Sequence, residues 1–179
     1  FFTFWGFDII NKETMGNLKF TMLGNRVWAV QSHAGRLYYS LWVEDTGRKN
    51  AVESNAIWSV GYKDETGVID PATAKLEFLM PEYNNQPYSN PVSDISFAAT
   101  GWMLLSQRSM NNDTQTTAHQ STTYEYQYMN GTWVLKGTTY LVGELVGSAA
   151  GGVDHDFKEG GYVWMTGDAL DFYTPSVVY

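Results

Sequence analysis

Asp154, His155 and Asp156 stand in a row, and Asp94 lies well before them in the chain. Carboxylates beside an imidazole suit a hard or borderline cation, calcium foremost, or acid–base work. On that reading Asp94, Asp154 and Asp156 are candidate metal ligands, and His155 completes the set for a metal-dependent hydrolase or lyase. Asp168, just after Thr166-Gly167, is a further carboxylate that could work with Asp154. The same side chains also serve a plainer purpose, capping turns and accepting backbone N–H bonds.

A second group suits recognition rather than reaction. Trp102 directly follows a turn and Trp133 nearly does, which makes both candidate platforms for stacking a sugar ring. Arg108 and His119, in or beside a long polar loop, are polar groups that could reach the same ligand. Asn112-Asp113-Thr114 and Asn130-Gly131-Thr132 both fit the glycosylation sequon, with Asn112 and Asn130 as acceptors on expected surface turns. The chain has no Gly-x-Ser-x-Gly elbow, no phosphate-cradling glycine loop and no His-Glu-x-x-His, so no catalytic motif speaks for an enzyme.

Bulk composition narrows the partners. The formal net charge is −8, which repels phosphate backbones and anionic membranes, so nucleic acid is not expected. Cysteine is absent, which removes disulfides, thiolate metal sites and thiol nucleophiles. No apolar run reaches membrane-spanning length, because Glu144 and glycines interrupt the best one, Leu141 to Val153. With Phe at its first position, the chain reads as a mature form or a piece of something longer.

A repeated phrase dictates what must position these groups. Ala34-Gly35-Arg36-Leu37-Tyr38-Tyr39-Ser40 returns as Thr100-Gly101-Trp102-Met103-Leu104-Leu105-Ser106 and as Gly160-Gly161-Tyr162-Val163-Trp164-Met165-Thr166. Gly35, Gly101 and Gly161 recur at a near-constant interval, as when one supersecondary unit stacks on the next. Short aromatic and β-branched runs between Gly, Asn, Asp and Pro clusters predict strands at 27–31, 36–44, 56–62 and 75–80. The second unit predicts them at 92–98, 102–109, 122–129 and 132–142, with Asn130-Gly131 as a hairpin turn. The expected class is all-β with almost no helix. The expected architecture is a β-propeller: half a blade over 1–23, blades over 24–86 and 87–147, and another half over 148–179. Three blades are too few to close a ring, so the chain is expected to belong to a larger ring or to one that several copies complete. A two-layer β-sandwich is the alternative. Offsets from the repeated glycines put Trp28, Asp94 and Asp154 at one equivalent position on the first, channel-lining strand of each unit.

The phrases Ser93-Asp94-Ile95-Ser96-Phe97, Gly101 to Met110, Ala118-His119-Gln120-Ser121, Glu125-Tyr126 and Gly151 to Phe157 carry a resemblance, as does Val163 to Leu170. Together they are similar to a propeller domain, with WD- or NHL-like blades, found in large bacterial surface or secreted multidomain proteins. The likeness spans Val27 to Leu170. Trp102 stands where that pattern has Arg, and Ser106-Gln107 where it has Ala-Glu. The resemblance implies an extracellular or cell-surface modular protein without a catalytic role. The expected function is therefore a non-enzymatic module for adhesion, assembly or filament formation through contacts with other chains or domains. Glycan binding is the alternative and metal-dependent hydrolysis the third reading.

Overall fold

The computed structural model describes residues 26–43, 54–81, 89–112, 115–117, 121–140, 142, 149–156 and 161–167. Among them every regular element is a strand. The expected half blade over 1–23, His119 and Asp168 lie outside the described residues.

The first sheet is an antiparallel meander of β1 (Arg26–His33), β2 (Arg36–Trp42), β3 (Ala56–Tyr62) and β4 (Ile69–Leu79) in that order. The second joins β5 (Val92–Phe97), β6 (Met103–Gln107), β9 (Thr123–Met129) and β10 (Thr132–Tyr140), again as neighbours in that order. A hairpin of β7 (Met110–Asn112) and β8 (Gln115–Thr116) is inserted between β6 and β9. The third sheet pairs β11 (Ala149–His155) with β12 (Val163–Gly167). The inserted hairpin falls in a stretch whose polarity predicts only loop. Met110 explains it: the side chain is buried, and its backbone exchanges hydrogen bonds with Ser89 at 2.8 and 3.0 Å. β4 starts at Ile69, ahead of its apolar run, and so carries Pro71, which an edge strand tolerates.

The repeated phrase opens a second strand in all three copies. Gly35, Gly101 and Gly161 have φ of 75°, 81° and 65°, which a side chain at those turns would resist. Each first strand then carries an irregularity in register near the hydroxyl residue that closes the phrase. In the first and third copies the hydroxyl serves the strand irregularity itself. Ser40 Oγ accepts from Ala29 N at 2.9 Å, and Thr166 Oγ1 accepts from Gly152 N at 2.8 Å. Ser106 is fully buried and accepts from the Thr123 hydroxyl at 3.0 Å.

Register also corrects the alignment made on the glycines. His33 pairs with Arg36 across a two-residue turn, Phe97 with Met103, and His155 with Val163, so the connections lengthen along the chain. Counting back from the glycine therefore drifts. Asp94 lies opposite Ser106, whereas Asp154 lies opposite Trp164, nearer the turn. Gln31 and Ser96 are the true counterparts of Asp154.

The sheets pack in chain order. β5 lies against both β1 and β11, and β6 also packs on β11. Every residue of β6 is buried, because the second sheet is covered on both faces, which a two-layer sandwich does not do. Its core with the first sheet holds Tyr38, Ile57, Ile95, Phe97, Met103, Leu105, Tyr126 and Trp133.

Hydroxyls join the layers at the strand irregularities. Ser40 donates to Val92 O at 2.8 Å, and Ser93 donates to Gly151 O at 3.0 Å, so the second and third sheets each offer a first-strand carbonyl to a serine of the sheet before. Ser40→Ala strands a buried N–H and a buried carbonyl together. The substitution is expected to cost about 2 kcal/mol, measured by denaturant unfolding. A variant as stable as the parent would show that this hydroxyl does not link the sheets.

Candidate functional site

A cleft of about 490 Å³ opens between the first and second sheets, at the end where the Ala34-Gly35 and Thr100-Gly101 turns lie. The two tryptophans singled out in the sequence both line it. Trp102 leads into β6 and is half-buried, with Lys136 Nζ 4.9 Å above its ring. Trp133, on β10, is buried and anchors an aromatic cluster. Its ring lies 5.1 Å from Tyr128, 6.0 Å from Phe97 and 6.1 Å from Tyr38, the last edge-on. Trp133 Nε1 is buried and has no hydrogen-bond partner among the described residues.

The opposite wall is polar and comes from the first sheet. Arg36 Nε donates to Ser59 Oγ at 2.8 Å while its terminal nitrogen donates to Thr73 O at 2.8 Å. Ser59 in turn donates to Glu77 Oε1, and Lys75 bonds the other carboxylate oxygen at 3.0 Å. Glu77 is thus a buried carboxylate held by a hydroxyl and an ammonium, with a side-chain exposure of 3%. A network of this kind is fixed before any ligand arrives, so it costs little reorganisation on binding. Gln127 and His33 complete the lining.

His33 ends β1 and stacks on Phe97 at 4.1 Å. Burial holds its imidazole below the ordinary value. Glu77 and Tyr128 carry no motif, so the sequence offers no signal for them. For Arg36 the available signal is strand alternation, which puts it on one face of β2 with Tyr38.

The remaining candidates lie elsewhere. Arg108 is at the far end of β6 from Trp102; its backbone N–H donates to Pro91 O at 2.9 Å, so the length of the strand separates it from Trp102. Asn130 is exposed, in the β9–β10 turn with φ of 52°, while Asn112 closes β7.

Asp94 and Asp154 meet along a groove of about 480 Å³ beside the first strands. Asp94 accepts from Ile95 N and Val153 N, each at 2.9 Å. Asp154 Oδ1 accepts from His155 N at 2.8 Å and from the Ser96 hydroxyl at 2.7 Å. Both carboxylates thereby bind the second sheet to the third. Asp156 is not with them: it lines a different cleft, and its N–H donates to Tyr162 O at 2.8 Å. Among the described residues no three His, Asp or Glu side chains converge as a metal would require.

His155 sits beside these groups and is buried. Burial pushes its imidazole below the ordinary 6.5, opposed by the Asp154 charge. As pH falls through that ordinary value, the unfolded chain takes up a proton that the folded chain resists. Stability present above it is therefore lost on acidification toward the depressed folded value. His155→Gln is expected to flatten this part of a melting-temperature profile, with His33 leaving a residual slope. An unchanged slope would place the titration elsewhere.

Comparison with family models, curated proteins and solved structures finds no match for the chain.

Proposed function

We propose that the chain is a non-enzymatic, β-propeller-type module that binds saccharides in the cleft between its first and second sheets. The observation that carries this reading is the meeting of Trp102, Trp133 and Tyr128 with the Arg36–Ser59–Glu77–Lys75 network in one open cleft. Aromatic faces take the C–H side of a sugar ring, and prearranged charged groups take its hydroxyls. A binding module at a cell surface fits the same features, with adhesion as its role.

Propeller architecture is supported by the way the faces repeat. Ile95, Met103 and Leu105 present the second sheet to the first. By register, Val153, Val163 and Met165 stand at the same places on the third sheet, and Val30, Leu37 and Tyr39 on the first. The second sheet so carries one face for its predecessor and another for its successor, as a blade within a ring does, and the first and third repeat the same apolar positions. Displaying the chain on an array of neutral and charged glycans tests the function. Retention of at least one glycan, abolished in Trp102→Ala, is expected. No retention at any density would remove the reading.

A second reading, assembly through contacts between chains, is favoured by two aromatic side chains of the third sheet. Trp164 is 64% exposed and Tyr162 is 66% exposed. Large apolar groups left open in this way mark contact surfaces. Sedimentation velocity tests it: association that Trp164→Ser weakens supports assembly, and a monomer at all concentrations opposes it.

A further inference from the structure

A cleft of about 380 Å³ separates the second sheet from the third, and Trp102 lines it as well. Its walls depart from what packing alone would choose. His155 opposes Val163 as Phe97 opposes Met103, so an imidazole takes the place that a phenyl ring fills in the preceding seam. Glu125 opposes Leu104 as Ser59 opposes Tyr38, so a carboxylate replaces a hydroxyl. The protein only partly matches these groups. His155 is 8% exposed, and its Nε2 is buried with no hydrogen-bond partner among the described residues. Glu125, 6% exposed, receives the Tyr140 hydroxyl, yet burial still raises its affinity for a proton.

A buried nitrogen left without a partner, as His155 Nε2 is among the described residues, is costly unless something else satisfies it. The charges around the cleft say what that can be. Glu125 and Asp156 disfavour an anion. The Lys136 charge acts on Glu125 and offsets one of these carboxylates, and among the described residues no third acidic or imidazole group converges to hold a metal ion. A neutral ligand rich in hydroxyl donors meets neither obstacle, and the half-buried Trp102 offers it a flat wall.

We propose that the Trp102–Glu125–Tyr140–His155 cleft is a second saccharide site, selective for neutral sugars and sharing Trp102 with the first. It rests on the reading of the module as a saccharide binder but has its own reporter, because His155 lines this cleft and Trp133 lines the other. The test is NMR of the whole chain, following imidazole and indole resonances during titration with glucose, galactose, mannose or N-acetylglucosamine. At least one of these sugars is expected to shift the His155 resonance saturably. Glu125→Gln should weaken that response roughly tenfold and leave any Trp133 response unchanged. Tyr140→Phe, a smaller change, should weaken it less, and serves if the first variant does not fold. A response at Trp133 alone would overturn the second site and leave the first standing. A response at His155 alone would support the second and count against the first, while silence at both would remove the two together.

Discussion

Gly151→Ala is expected to lower stability by about 3 kcal/mol or more, a fall in melting temperature of roughly 10 °C. Two costs coincide at this position. The backbone has φ of 100°, in a region that a side chain seldom adopts. A methyl group there would also meet Ser93 Oγ inside contact distance, with Ser93 Cβ at 3.2 Å and Arg108 Cβ at 3.3 Å. Those atoms belong to the second sheet and its β6–β7 link, so the strain falls on the seam and cannot be relieved by a free side chain. Gly137→Ala is the control, because a methyl there meets no described atom within 4 Å. It should be neutral or slightly stabilising. Equal melting of the two variants would mean that the sheets do not meet at Ser93 and Gly151.

Trp133→Ala is expected to cost about 3–5 kcal/mol, the usual range for deleting a buried aromatic side chain. Its indole packs against Tyr38 of the first sheet and Phe97 and Tyr128 of the second, so its loss opens the core at the floor of the cleft. Trp133→Phe should cost much less, about 1–2 kcal/mol. It keeps most of the ring contact and removes a buried N–H that has no acceptor among the described residues, so no hydrogen bond is given up. Unfolding in guanidinium distinguishes the two. Equal losses would show that the indole nitrogen is engaged after all.

How far the sequence revealed this arrangement depends on the type of signal. Turn glycines and alternating aromatics are local, and the strands at 56–62 and 123–129 appear almost where they were expected. The all-β class and the meander order were legible for the same reason. Trp102 and Trp133 were identifiable because each lies close to a turn. Their meeting in one cleft depends on how two sheets pack, which no local pattern states. Arg36 and Glu77 were illegible because a buried ion network looks like ordinary surface charge until the opposing sheet is in place. Asp94 and Asp154 were found but misaligned, since the connections after β1, β5 and β11 differ in length. Their carboxylates accept backbone N–H groups at the seam, which is the plainer of the two roles the sequence offered.

The most direct test of saccharide binding between the sheets is a crystal structure of the chain grown with the glycan that the array retains. The expected result is a sugar ring against Trp102, with hydroxyls hydrogen-bonded to the Glu77 and Arg36 network. A ring bound away from both tryptophans, or an empty cleft in crystals saturated with the glycan, would contradict it.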